Sequence, residues 1–186
     1  METKEIRALI VDDLGAAREE IQEHTDALGH VSDEAACVEE ARKKLKNHPY
    51  DYVVLDLQLP MRQGGPDKIE YGKAFLDEII GAYLYMGIVV VTAHARTYLH
   101  VVDVMGRSPL VRYVPKPFDD DPRNPKLTDM IKLVLEKVEQ YRSEGLLPCL
   151  QSRSASGSPI GAIDVWVVRR RKNSQVFCTV NGEVRS

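Results

Sequence analysis

No apolar run in this sequence approaches the roughly 18–20 residues that a membrane-spanning helix needs, so no membrane role is expected. The opening residues, METKEIRALIVDD, lead straight into a strand-like stretch. They lack the basic segment, long apolar stretch and small-residue cleavage site of a secretory leader. Cysteine is sparse: Cys37, Cys149 and Cys178 are far apart and odd in number. That argues against a disulfide framework and against a C-x-x-C metal site. Five histidines are scattered without metal-ligand spacing. These absences lead us to expect a cytoplasmic, reduced protein.

What is present suits a globular chain. Its 186 residues are 44% hydrophobic and 28% charged, enough for one buried core with an appendage. The net charge of −3 is unevenly spread: residues 148–186 hold six Lys/Arg against two Asp/Glu, a tail of +4 on a body of −7. An acidic body does not suit nucleic acid, and the RRRK run at 169–172 reads first as a solvated turn.

Four short runs rich in Val, Ile and Leu, at 6–11, 52–55, 88–91 and 110–114, do not alternate with polar residues. Strands covered on both faces of a parallel sheet read this way. A fifth strand, over 31–36, is nearly all small or polar and is placed at an edge. Between the runs lie helical stripes. Ala17, Ile21, His24 and Leu28 share one face, and Val38, Ala41 and Leu45 another. Phe75, Leu76, Ile79, Ile80 and Tyr83 make a third stripe, and Leu99, Val102 and Met105 a fourth. Leu127, Ile131, Val134, Val138 and Tyr141 make a fifth. Alternating strands and helices imply right-handed crossovers. The fold class expected is α/β, a flavodoxin-like doubly wound five-stranded parallel sheet of order 2-1-3-4-5.

After Gly145 the texture changes. Residues 146–159 (LLPCLQSRSASGSP) are rich in Pro and Ser and read as a linker. Beyond it, 163–168 and 175–180 look like two strands, with Asn181-Gly182 offering a further tight turn. The expected organisation is a domain over 1–145, a linker over 146–159, and a C-terminal extension over 160–186. That extension is either a β-hairpin or a disordered segment, since a lone hairpin is marginally stable.

Polar residues recur at the carboxyl end of every firm strand. Asp12 and Asp13 follow the first (RALIVDD), and Asp56 ends the third (DYVVLDLQLP). Thr92 ends the fourth (IVVVTAHA), and Lys116 follows the fifth (VRYVPKPF). Open parallel sheets build their sites at this rim. Three crowded carboxylates repel unless a cation compensates, and all-oxygen ligands with room for water suit Mg²⁺. A lysine supplies a point charge for an anion and a threonine a hydroxyl donor, a set able to stabilise a phosphoryl group in transfer. A carboxylate nucleophile forms an aspartyl phosphate, and Asp56 is central in the sheet. Read alone, Asp12-Asp13 is a helix N-cap, Thr92 a strand-end hydroxyl and Lys116 a loop charge. The chance that all are structural together is small.

The ordered set VDD (11–13), LDLQLP (55–60), VTA (91–93) and PKPF (115–118) resembles the receiver domain of two-component response regulators, of the chemotaxis-regulator kind. The resemblance covers residues 4 to about 143. It implies that Asp56 accepts a phosphoryl group from a sensor histidine kinase or a phosphotransfer protein. It further implies that Asp13, Asp56 and the backbone carbonyl of Gln58 hold Mg²⁺ directly, with Asp12 acting through water. Lys116 would pair with the phosphoryl group, and Thr92 would move to hydrogen-bond it. Tyr113 matches an aromatic that swings inward at that step. The implied role is a signalling switch rather than an enzyme, acting through the helix 4–strand 5–helix 5 face on a downstream protein or an output domain. A homodimer is compatible with it.

Two features depart from the pattern. Residues 61–71 (MRQGGPDKIEY) are several residues longer than the usual passage to the glycine opening helix three. Gln58 and His94 stand where the family varies its dephosphorylation rate. Competing readings are weaker. A haloacid-dehalogenase-like phosphotransferase or phosphatase wants a second aspartate where Gln58 stands, and a flavin module wants a Ser/Thr/Gly-rich loop where DDLGAAR stands. A DNA-binding regulator needs a recognition helix, which the tail lacks room for.

Overall fold

The computed structural model describes residues 5–93, 98–118, 124–145, 164–170, 173–180 and 183–185. The chain runs β1 (Arg7–Val11), α1 (Gly15–Asp26), β2 (Val31–Ala35), α2 (Val38–Asn47), β3 (Tyr52–Asp56), β4 (Leu59–Pro60) and β5 (Asp67–Lys68). It continues through α3 (Ile69–Ala82), β6 (Gly87–Thr92), α4 (Tyr98–Arg107), β7 (Val111–Pro115) and α5 (Leu127–Glu144). Last come β8 (Asp164–Arg170), β9 (Asn173–Val180) and β10 (Glu183–Arg185).

Apolar strands force a two-sided core. The main sheet has the order β2-β1-β3-β6-β7 with every pair parallel, which is the expected 2-1-3-4-5. Successive strand residues point to opposite faces. Leu9, Val11, Val53, Leu55 and Val90 therefore pack on α2, α3 and α4 through Val38, Ala41, Phe75, Leu76, Ile79 and Val101. Ala8, Ile10, Val54, Val89 and Val91 pack on α1 and α5 through Ile21, Leu127, Ile131 and Val134. Full burial of each such large side chain contributes about 1.5–3 kcal/mol. β2, whose middle residues Ser32, Asp33 and Glu34 are only half-buried, takes the edge as expected.

Three expectations need correction. The α4 stripe is out of phase: Val101 and Val104 are the buried residues, while Val102 is 43% exposed. The passage 61–71 is not a loop throughout. β4 and β5 pair antiparallel, Leu59 opposite Lys68 and Pro60 opposite Asp67, and α3 already begins at Ile69. Its turn closes through Gly65 N–H to Arg62 O at 2.9 Å. This hairpin is tied to α2 by Glu39 N–H donating to Met61 O at 3.1 Å, and by the Arg62–Glu39 ion pair at 2.6 Å. In the tail the two expected strands are joined by a third: β9 lies between β8 and β10, antiparallel to both.

α5 stops at Gly145, whose φ of +66° is the left-handed conformation that ends helices. The expected linker 146–159 and His94 lie outside the described residues. Among the described residues no helix is long and apolar enough to cross a membrane.

Candidate functional site

The parallel sheet opens the carboxyl ends of its strands along one rim. Register brings them level: Val11 lies opposite Leu55, Asp56 opposite Val91, and Thr92 opposite Pro115. Asp12 and Asp13 follow β1, Asp56 closes β3, Thr92 closes β6, and Lys116 follows β7.

Asp12 is fully buried, and a buried carboxylate is costly without partners. Its Oδ1 accepts from Leu14 N–H at 3.0 Å, and its Oδ2 from Lys116 Nζ. It does not cap α1, whose N-cap residue is Leu14 and has no side-chain capping bond. Lys116 Nζ also donates to Asp56 Oδ2 at 2.8 Å, while Asp56 Oδ1 accepts from Gln58 N–H at 3.0 Å. Lys116 N–H donates to Thr92 O at 3.1 Å, and the Lys116–Pro117 peptide is cis. One lysine thus joins carboxylates from two strands and is tied by its main chain to a third. Thr92 is fully buried. Tyr113 is half-buried against the α2–α3–α4 side of the core, opposite Val90.

Carboxylate oxygens of Asp12, Asp13 and Asp56 all lie within 4.8 Å of one another. Burial raises the Asp12 pKa even though Lys116 pulls it down. Asp13 is also raised, first by burial and then by the negative charges of Asp67 and Asp12. Burial alone would depress Lys116, but the charges of Asp56 and Asp12 outweigh it and hold its pKa above the ordinary value. Three carboxylates against one ammonium leave the rim electronegative. An oxygen-only set of this kind fits a hard dication. All three carboxylates could offer it an oxygen, and of these Asp12 and Asp56 already accept from Lys116 at Oδ2.

This arrangement has a measurable consequence. A carboxyl whose folded pKa lies above its ordinary value adds stability below that ordinary value and loses it as pH rises through the folded pKa. At neutral pH the ionised cluster therefore works against folding. Asp13→Asn is expected to melt higher than wild type in chelator. If the cluster holds Mg²⁺, wild type should gain about 1.4 kcal/mol at ten times the Kd by linkage, and the variant less. Thermal melts with EDTA and with Mg²⁺ decide it, and a variant that melts lower in chelator contradicts the repulsion.

Two contributors to the rim were not read from the sequence. Asp67 comes from the β4–β5 hairpin, and its charge acts on Asp13 more strongly than that of Asp12. Arg18, on α1, donates from Nη1 to the main-chain oxygen of Asp12 at 2.7 Å. The sequence carried no signal for Asp67, which reaches the site through hairpin pairing. For Arg18 the only signal was its place one turn into the helix after Asp12-Asp13.

The family model of the response regulator receiver domain matches residues 8–132. A gliding motility regulatory protein of Myxococcus xanthus is 41% identical over 61 residues, which is 33% of this chain and 8% of that protein. The match therefore spans only a small fraction of that relative's length. Among solved structures, a CheY-like response regulator receiver domain protein from Methanospirillum hungatei JF-1 superposes with a TM-score of 0.56 at 22% identity. It covers 76% of this chain and 100% of that one. The signal receiver domain of an HD domain-containing protein from Pseudomonas fluorescens Pf-5 gives 0.61 at 20% identity, covering 77% and 96%. At these identities the two structures speak for the fold.

Proposed function

This chain belongs to the response regulator receiver domain family, and on that premise we propose that it is a phosphorylation-driven switch with Asp56 as the acceptor. The observation that carries the reading is the Lys116 ammonium seated between Asp12 and Asp56, beside the half-exposed Asp13. A carboxylate oxygen of Asp56 attacks the phosphorus of a phosphohistidine. The phosphorus–nitrogen bond breaks, the imidazole leaves, and an acyl phosphate remains. Lys116 then turns its Nζ from the Asp56 carboxylate to a phosphoryl oxygen, and the Thr92 hydroxyl donates to another. Asp13, Asp56 and the Gln58 carbonyl are the residues that would hold Mg²⁺, with Asp12 one water further out. Bound Mg²⁺ supplies positive charge for the phosphoryl oxygens.

Displacement of Thr92 and Tyr113 then biases the α4–β7–α5 face toward a second arrangement. The donor is a sensor histidine kinase or phosphotransfer protein, and the output is a downstream protein or domain rather than nucleic acid. The protein works as a signalling element in the cytoplasm, not as a turnover enzyme. The test is incubation with a small phosphodonor, with and without Mg²⁺. One acid-stable, base-labile phosphoryl group should form in Mg²⁺ only, mapped to the peptide carrying Asp56. Labelling that ignores Mg²⁺ contradicts the site.

We further propose that residues 1–145 fold and take phosphate alone, with 146–159 a linker. Limited proteolysis should cut first within 147–158 and leave a core ending near residues 141–145. An insoluble 1–145 fragment makes the tail part of the fold.

A further inference from the structure

We infer that Arg18 is a positioning residue for the divalent-cation site: it holds the peptide that carries Asp13, while Glu34 keeps its charge out of the acidic cluster. The inference rests on the reading of Asp12, Asp13 and Asp56 as that site. The Arg18 side chain is 18% exposed, and both donors used here are short. Nη1 donates to the Asp12 carbonyl oxygen at 2.7 Å, and Nε to Glu34 Oε2, on the neighbouring edge strand β2, at 2.7 Å.

That carbonyl belongs to the peptide joining Asp12 to Asp13, so its direction sets where the Asp13 side chain leaves the main chain. The rest of Asp12 is already fixed. Its N–H donates to Ala35 O at 3.1 Å, its Oδ1 is taken by Leu14 N–H, and its Oδ2 by Lys116. Asp13 has no cationic partner among the described residues, so its aim depends on the main chain beneath it. Groups that orient a metal ligand without touching the ion govern affinity in this way.

The charge of Arg18 makes its geometry informative. A guanidinium near carboxylates pairs with them readily, often through two bonds. Here one arm is spent on a neutral carbonyl and the other on Glu34, a residue of the edge strand β2 outside the three-carboxylate cluster. The cation therefore braces the site without neutralising it.

Charge alone and positioning predict opposite signs. Removing a cation beside an anionic site tightens Mg²⁺ binding if only charge matters, and weakens it if Arg18 aims Asp13. The experiment is calorimetric titration of the full chain with Mg²⁺, with melting in EDTA as the check on folding. Arg18→Met, which keeps the apolar stem, should raise the Kd about tenfold, the lower end of what such outer residues command. Arg18→Lys keeps the charge but not the fork, and should recover part of the loss. Half-saturating Mg²⁺ for phosphorylation should rise in Arg18→Met while the rate at saturating Mg²⁺ is largely kept, a split that general destabilisation does not give. If Arg18→Met loses its melting transition, the decision passes to Arg18→Lys, for which wild-type affinity overturns the inference. Wild-type chain that binds no Mg²⁺ overturns the underlying reading and this inference with it. Binding by wild type together with undiminished affinity in a folded Arg18→Met overturns the inference alone.

Discussion

Asp56→Asn is expected to gain no base-labile phosphoryl group from a small phosphodonor under conditions where the wild type is fully labelled. The substitution is nearly isosteric, so the Gln58 N–H keeps an oxygen acceptor in place of the one it meets at 3.0 Å. What disappears is the anionic nucleophile: an amide oxygen does not attack phosphorus to leave a stable acyl phosphate. Folding should be largely kept, because Lys116 loses one ion pair but retains Asp12 as its partner, and one of three crowded carboxylate charges is removed. The variant therefore separates chemistry from stability, and intact-mass analysis before and after base treatment reads the result directly. Asp13→Ala should also lose labelling, by a different route, because Asp56 remains intact while cation binding fails. Raising Mg²⁺ should recover part of the Asp13→Ala signal and none of the Asp56→Asn signal. Full labelling of Asp56→Asn would place the acceptor elsewhere and end the assignment.

Gly72→Ala should be the most destabilising glycine-to-alanine change among the described glycines, at about 2–4 kcal/mol. A Cβ at Gly72 would stand 2.2 Å from the Leu57 carbonyl oxygen, 2.5 Å from its Cα and 2.6 Å from its carbonyl carbon. These are backbone atoms of a fully buried residue, so no flexible side chain can yield. Either α3 retreats from the sheet or the Leu57 peptide moves, and Leu57 sits between Asp56 and Gln58. Phosphorylation should fall along with stability. Gly81 is the internal control: it lies on the same helix, and nothing stands within 4 Å of its added Cβ. Gly81→Ala should be neutral or stabilising, by up to about 1 kcal/mol. Urea titration of both variants decides the matter, and a Gly72→Ala midpoint equal to wild type would show that the approach of α3 is looser than described.

The rim was legible because its residues interrupt apolar strands at one end, and parallel pairing then needs no further information to bring them together. Placement of the 31–36 segment at the edge was legible for a related reason: Ser32, Asp33 and Glu34 cannot be covered on both faces. The phase of α4 was not, because Val101 and Val102 are adjacent in the run LHVVDVM and either fits a helical stripe. Tertiary packing chose Val101. The β4–β5 hairpin was invisible for a different reason. Its strands are two residues each and one contains Pro60, which argues against a strand in any local reading. With it went Asp67, whose influence on Asp13 exists only through the pairing with Pro60. Arg18 stood out only by its place one turn after Asp12-Asp13, because its role depends on a carbonyl oxygen that sequence does not display.

The lysine that completes the rim lies 104 residues from Asp12 and 60 from Asp56 along the chain. Contacts of such separation carry a large loop-closure cost and slow the folding of the structures that depend on them. A growing chain that has laid down β1 to β3 already holds Asp12, Asp13 and Asp56, but no counter-charge from β7. On the proposed function, competence to take phosphate would therefore arrive only with the last strand of the main sheet. If Asp56 is the acceptor as proposed, a chain that stops before Lys116 should take no phosphate, and phosphorylation would then read out finished folding.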